Sequence, residues 1–421
     1  MNRIWIRGGR IVTMNPAREI FSGDILIEDD RIQYIGKKLP PKVKTEEAKI
    51  IDARSFWVLP GFIQTHTHLC QTLLRNQAEG LILLNWLKKK VWPYEASLTK
   101  EKMHLAARMG IAELLKGGTT TILDMGSVHH TDIIFDACRR FGIRAFSGKA
   151  MMDEGNGVPE TLKEKTEKSI EETWKLIEKW HGAENGRLQY ALAPRFVLSS
   201  SQKLLKEVSD LSEKNKILIH THASENEIES KIVKKKYGLS NIRYLHKIGL
   251  CGRRSIFAHC IWLDKKDIEL LSSTQTSVAH CPTSNLKLAS GIARVPEMID
   301  AGIRLTLGAD GAPCNNNLDM FQEMRLAGLI QRVKYGVTAL PSETILAMAT
   351  IQGAAALGME KEIGSLEVGK YADLILVNQK TDHTQPIGSD YDTLVYSAKS
   401  SDVSTVIVDG KILVFPKQRV S

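Results

Sequence analysis

The chain lacks the features that would staple, anchor or disorder it. Its 421 residues contain only six cysteines, Cys70, Cys138, Cys251, Cys260, Cys281 and Cys314, and no two of them form a C-x-x-C pair. A chain of this length has no need of cross-links, so reduced thiols in a cytoplasmic protein are expected. No uncharged apolar run reaches the ~20 residues of a membrane helix. The first seven residues alternate like a strand and do not carry the apolar stretch of a signal peptide. Low-complexity stretches and repeats of 20–50 residues are also absent. Lys and Arg outnumber Asp and Glu by 57 to 48, a formal charge of +9, yet there is no long basic block. The runs Lys88-Lys89-Lys90 and Lys234-Lys235-Lys236 lie in helix-like stretches and read as solvated faces. Neither a nucleic-acid partner nor a membrane is expected.

What remains is globular, with 43% hydrophobic and 25% charged residues. The chain falls into three textures. Residues 1–58 are strand-rich, with alternating segments at 10–14, 24–28 and 31–35 set off by Gly, Asn and Asp-Asp turn signals. Pro60-Gly61 punctuates the chain, and over 59–360 short apolar strands alternate with longer helical segments. Strands are expected at 62–66, 120–124, 143–148, 188–193, 217–221, 255–259, 276–280 and 304–308. The clearest helix spans 162–180, with Leu162, Ile170, Trp174, Ile177 and Trp180 at helical spacing. Eight strands alternating with helices give the count for a (β/α)₈ TIM-like barrel, in which polar chemistry gathers at the C-terminal strand ends. Over 361–421 strands return at 373–377, 403–408 and 411–414, the last two joined by an Asp409-Gly410 hairpin signal. The two ends of the chain are thus expected to form one small β-sandwich domain beside the barrel.

The strand ends carry the chemistry. In Pro60-Gly61-Phe62-Ile63-Gln64-Thr65-His66-Thr67-His68 the period of two puts His66 and His68 on one face, a pair able to ligate zinc. The strand ending in His220-Thr221-His222 is followed by Glu225, and the same period leaves His220 and His222 equivalent. Two further strands end in His259 and His280, and Leu307-Gly308-Ala309-Asp310 ends in an aspartate. Each alone is compatible with a satisfied structural polar group. Their recurrence at successive strand ends is economically explained by one convergent site.

With those residues in place the sequence resembles the amidohydrolase superfamily, in its branch of aminopurine and nucleoside deaminases, guanine deaminases and s-triazine hydrolases. The resemblance runs from Gly8-Gly9-Arg10-Ile11-Val12 to Val408-Asp409-Gly410-Lys411. It includes His280-Cys281-Pro282-Thr283-Ser284-Asn285-Leu286-Lys287-Leu288, Gly308-Ala309-Asp310-Gly311-Ala312 and the segment 363–374. It implies His66, His68, His222 and Asp310 as ligands of one divalent metal, Zn²⁺ foremost, with Fe²⁺ and Mn²⁺ able to share such donors. The H-x-x-E spacing selects His222 over His220, which is left to the barrel interior, and His280 is read as structural. Two-metal members use a lysine at the fourth strand end, where this chain has Pro194-Arg195-Phe196. Glu225, His259 and Asp310 take the catalytic positions: Glu225 moves a proton to the ring nitrogen, His259 orients the nucleophile, and Asp310 serves the leaving ammonia.

For the substrate the resemblance divides. Gln71, Arg195 and Phe196 look like the base-contacting residues of guanine deaminases. Thr72-Leu73-Leu74-Arg75, Asn85-Trp86-Leu87 and Trp92-Pro93-Tyr94-Glu95 look like barrel loops of the deaminases of 5′-deoxyadenosine, methylthioadenosine and S-adenosylhomocysteine. There Glu95 aligns with the acid that grips the ribose hydroxyls, and Lys149 with an arginine that reaches an amino-acid carboxylate. The S-adenosylhomocysteine and methylthioadenosine deaminases carry His where this chain has Arg195. Trp86 and segment 363–374 also look like the triazine hydrolases, but an intact Glu225/Asp310 pair suits an amine leaving group better than chloride. The expectation is a hydrolytic deaminase of an adenosine-type nucleoside, with guanine or 8-oxoguanine and triazine substrates as alternatives and a metal-free scaffold barrel as the non-enzymatic one. The resemblance also implies a homo-oligomer.

Overall fold

The computed structural model describes residues 2–40 and 47–415. Eight parallel strands form the central sheet: β1 Phe62–Thr67, β2 Thr119–Met125, β3 Arg144–Gly148, β4 Leu188–Pro194, β5 Leu218–Ala223, β6 Ser255–His259, β7 Ser277–His280 and β8 Leu305–Leu307. They are hydrogen-bonded in chain order, with the short Ala150–Met151 strand beside β4. Nearly every residue in these strands is buried, as parallel strands covered on both faces require. The sheet closes where β8 returns to β1: Thr67 and Asp310 form a parallel bridge, and the Asp310 amide donates to the His66 carbonyl at 3.0 Å. A Cβ at Gly308 would lie 2.8 Å from the His66 backbone, so only glycine lets the last strand approach this closely.

Helices cover the outside between successive strands, among them Lys100–Lys116, Thr131–Phe141, Thr166–Trp180, Gln202–Asn215 and Lys265–Ser273, and Met320–Tyr335 follows β8. The helix expected at 162–180 begins four residues later. Leu162 ends a 3₁₀ turn, Glu160–Leu162, and the 163–165 stretch runs extended while Glu164 turns inward to Lys149. All eight expected barrel strands are present, each within two residues of its expected limits.

The chain ends meet in one mixed sheet, in the order Lys411–Val414, Val403–Val408, Leu374–Asn378, Phe56–Pro60, Arg3–Val12, Ile20–Glu28 and Arg31–Gly36, with Lys49–Asp52 paired beside Arg3–Val12. Its own apolar cluster includes Ile4, Ile6, Ile25, Ile27, Val58, Leu374 and Ile407. Lys49–Asp52 and Phe56–Pro60 are strands that the sequence reading did not resolve, and position 58 lies within the latter. Arg144, at the start of β3, ties the two parts together. Its guanidinium is buried, donates to Asp373 Oδ2 at 2.7 Å, and also pairs with Asp409. No helix among the described residues is long and apolar enough to cross a membrane.

Candidate metal centre and catalytic pocket

The C-terminal ends of β1, β5, β6 and β8 converge. His66 lies near the end of β1 and His68 one residue beyond it. His222 is in β5, and Asp310 follows β8 in the left-handed backbone region (φ 63°). One donor atom from each of the four lies within 4.8 Å of the others. The hydrogen bonds fix which atoms face inward. His68 Nδ1 contacts the Met125 carbonyl at 3.0 Å and His222 Nδ1 the Arg195 carbonyl at 2.7 Å. A carbonyl only accepts, so both rings carry their proton on Nδ1 and turn a bare Nε2 lone pair to the centre. Those two Nε2 atoms are 3.1 Å apart, and the Nε2 atoms of His66 and His68 are 3.2 and 3.3 Å from Asp310 Oδ1.

Two lone pairs facing each other at that distance repel unless a cation lies between them. A tetrahedral site with ~2.0–2.1 Å bonds to nitrogen and oxygen separates its donors by about 3.3–3.4 Å, close to the spacing found here. His66 Nε2 is buried without a hydrogen bond, which fits the same reading. Burial holds the rings neutral: it drives the His66 imidazole down, His68 down to about 3, and His222 well below the usual range. The residues fit a divalent metal.

His220 lies outside this set, with its Nε2 2.8 Å from His66 Nδ1, where it fixes the orientation of that ring. His280 is buried and lies outside the four-donor cluster.

Around the donors sit groups able to carry protons. Glu225 follows Ser224, whose φ is 51°, and its Oε2 is 3.6 Å from His259 Nε2. Burial, then the facing Asp310 and Glu229 carboxylates, push the Glu225 carboxyl well above its ordinary value. His259 ends β6 with φ 73°, a conformation of the strained kind that collects at functional sites. Its Nδ1 lies 2.8 Å from Asn285 Oδ1, so Nδ1 donates and Nε2 is left unpaired, 3.8 Å from Asp310 Oδ2. Ser284 donates to Asp310 Oδ2 at 2.7 Å and the Gly311 amide to Oδ1 at 2.7 Å. Ser284 and Asn285 were legible only as parts of a motif, and spacing assigned them no function.

His68, His222, Glu225 and Asp310 form one wall of a cavity completed by Gln71, Leu83, Trp86, Leu87, Arg195 and Phe196. The cavity is about 20 Å³, room for little more than a water. Leu83, Trp86 and Leu87 cover it from the helix Leu83–Trp86 and the π-helical turn Leu87–Val91 that continues it.

Two of the expected substrate residues, Glu95 and Lys149, are engaged by other side chains of the protein. The Glu95 carboxylate is taken up within the protein. Arg195 forms a two-pronged pair with it at 2.5 and 3.1 Å, and Gln71 Nε2 donates to the same group at 2.9 Å, all of them buried. Glu95 does not line the cavity, whereas Arg195 and Gln71 do. Lys149 does not line it either. Its buried ammonium is held by Glu164 at 2.6 and 2.8 Å and by Glu172 at 2.6 Å. All three of its N–H donors are thus engaged within the protein.

A parallel barrel with three imidazoles and a carboxylate gathered at its C-terminal mouth defines a class, the barrel hydrolases built around a metal-binding donor set. A profile of the amidohydrolase family matches residues 57–413, and the chain belongs to that family. It is 38% identical over 415 residues to a 5′-deoxyadenosine deaminase of Methanosarcina acetivorans, covering 98% of this chain and 93% of that one. It is 41% identical over 396 residues to a 5-methylthioadenosine/S-adenosylhomocysteine deaminase of Syntrophomonas wolfei, covering 94% and 89%. Among solved structures it is similar to an adenosine deaminase from Xanthomonas campestris with bound zinc, at a TM-score of 0.90 and 29% identity over 98% of this chain and 93% of that one.

Proposed function

We propose that this chain is a metal-dependent hydrolytic deaminase of an aminopurine, acting on an adenosine-type nucleoside such as 5′-deoxyadenosine, methylthioadenosine or S-adenosylhomocysteine. The observation that carries the proposal is the meeting of Glu225, His259 and Asp310 over an inward-facing His₃Asp donor set. The relatives named above support the substrate class. His66, His68, His222 and Asp310 would hold one divalent cation, with zinc first and Fe²⁺ or Mn²⁺ able to use the same donors. Bound there, such a cation supplies Lewis acidity and brings the deprotonation of water toward neutral pH.

The remaining chemistry belongs to the side chains. Glu225, kept protonatable by burial, takes a proton from the attacking water and passes it to the ring nitrogen, making the neighbouring carbon electrophilic. His259, its Nδ1 tethered to Asn285, presents Nε2 as an acceptor that orients the water. Asp310, steadied by Ser284 and Gly311, takes the second proton and returns it to the departing amine. Water thus replaces the amino group as a carbonyl oxygen, and ammonia leaves. Phe196 and Trp86 offer apolar faces to the ring. A nucleoside enters only when the 83–91 segment moves outward, because the closed cavity is far smaller than a purine.

One observation favours a second reading, a free-base deaminase. Arg195 and Gln71 both stand between Glu95 and the cavity, so the carboxylate that would grip ribose is already engaged. Ammonia release by zinc-loaded protein from adenosine, 5′-deoxyadenosine, methylthioadenosine, S-adenosylhomocysteine, guanine, 8-oxoguanine and melamine separates the two. Turnover of the adenosine series is expected. Turnover of guanine alone would replace the nucleoside reading, and no turnover of any of them would refute the deaminase.

A further inference from the structure

Glu229 is a buried carboxylate that no part of the proposed chemistry uses. It lies in the helix Glu227–Tyr237, is 0% exposed, and has no cation within ion-pair distance among the described residues. Its bonds all point to one place. Oε2 accepts the backbone N–H of Glu225 at 2.8 Å and that of Asn226 at 3.2 Å, and Oε1 accepts Asn241 Nδ2 at 2.6 Å. The Asn226 contact is half of an ordinary capping box. The shorter bond to Glu225 and the support from Asn241, which opens the next helix, Asn241–Ile248, go beyond what a cap requires.

The backbone at this point needs such a restraint. After β5 the chain enters the left-handed region at Ser224, whose carbonyl accepts the amides of Ile261 and Trp262 at 2.9 and 3.0 Å. That turn aims the Glu225 side chain at His259, 3.6 Å away, yet among the described residues no hydrogen bond holds the Glu225 carboxylate. Its direction is therefore set from behind, through its amide. Leaving a carboxylate buried without a counter-ion is costly, and three N–H donors converging on one side chain is the arrangement that offsets it.

We infer that Glu229 is a positioning residue that fixes the direction of Glu225 by holding its backbone amide, with Asn241 holding Glu229 in turn. The catalytic part of this inference rests on the deaminase reading, while the restraint on the amide does not. In Glu229→Ala the amides of Glu225 and Asn226 are expected to exchange hydrogen at least about 10-fold faster than in the parent, with the β5 amides unchanged. With the nucleoside that the panel identifies, kcat is expected to fall about 10–100-fold at unchanged KM and metal content, since small misplacements of a reacting group cost up to about 10²-fold. Glu229→Gln, which keeps an acceptor oxygen, is expected to recover all but a few-fold of that loss. Asn241→Ala is expected to move exchange and kcat the same way by less, and it serves if Glu229→Ala does not fold. In a Glu225→Gln background the further loss from Glu229→Ala is expected to vanish, because the two residues act as one unit. Unchanged exchange at both amides would overturn the inference, and so would an undiminished loss in the Glu225→Gln background. If the parent turns over nothing in the panel, the deaminase reading fails and the exchange result alone decides whether Glu229 holds the loop.

Discussion

Replacing Arg195 by Met would leave the Glu95 carboxylate buried with only Gln71 donating to it. The two charged groups are 3% and 4% exposed and meet through two hydrogen bonds, so solvent screens their interaction very little. Removing one member of such a pair costs ~3–5 kcal/mol, because the partner's charge stays in place without its compensation. At an unfolding entropy of about 2.1 cal/mol/K per residue, a chain of 421 residues loses about 3–6 °C in Tm for that change. The carbonyl of residue 195, which holds His222, is backbone and survives the substitution, so metal content is expected to stay level. Scanning calorimetry of zinc-loaded Arg195→Met, Glu95→Leu and the double variant checks this. Each single variant is expected to fall by the stated amount, and the double variant to recover most of it, because an apolar pair of similar volume can replace a buried ion pair at little cost. A drop below 1 °C for Arg195→Met, or a double variant as poor as the sum of the singles, would refute the claim that the two residues form a closed unit.

Glu225→Gln is expected to keep its metal and lose about 10²–10⁴-fold in turnover, whereas His66→Ala loses both, as metal analysis beside ammonia release will show. Glu323 is wholly buried, accepts Asn315 Nδ2 at 2.8 Å and the Thr283 amide at 3.2 Å, and burial pushes its carboxyl up to about 7. An acid raised in the folded state stabilises fully below its unfolded value near 4.5 and loses that contribution as pH rises through about 7, here about 3 kcal/mol in all. Glu323→Gln lacks this dependence, so its Tm deficit against the parent is expected to shrink by about 3–4 °C between pH 4.5 and 7.5; a constant deficit would contradict the assignment. Lys149→Met is expected to destabilise the fold by ~3–5 kcal/mol by stranding Glu164, with KM for methylthioadenosine and S-adenosylhomocysteine unchanged. A KM rise confined to S-adenosylhomocysteine would return Lys149 to the substrate.

The barrel was legible because parallel strands buried on both faces read as short apolar runs, and because their polar ends recur at β1, β5, β6, β7 and β8. His66 and His68 follow from period two alone. The choice between His220 and His222 needed the H-x-x-E motif, and the structure separates them by depth, with His220 bonded to the back of His66. Relations across long separations were hidden from the sequence. Glu95 and Arg195 lie 100 positions apart, and no spacing rule couples them. The same holds for Asn285 behind His259 and Ser284 behind Asp310, which sit on the six-residue helix Pro282–Lys287, too short to show a periodic pattern. Phe56–Pro60 was missed because a five-residue apolar run ending in proline carries neither alternation nor helical spacing. The helix start at 162 was misplaced because Leu162 has the right spacing but belongs to the apolar cluster around Trp86 and Phe196.

Phe56–Pro60 of the terminal sheet and β1 of the barrel are separated by Gly61 alone. That glycine donates its amide to Asp373 and fits against Thr120, where a Cβ would lie 2.1 Å from the threonine side chain. The strand bearing His66 and His68 is thus the continuation of a ribbon whose register is set in the other module. One inserted residue at this junction would turn both imidazoles to the opposite face, since side chains alternate strictly along a strand. The barrel is accordingly not a portable cassette. Recombination that joins the barrel of one relative to the termini of another must preserve the count across residues 56–68, so the two sheets are inherited together.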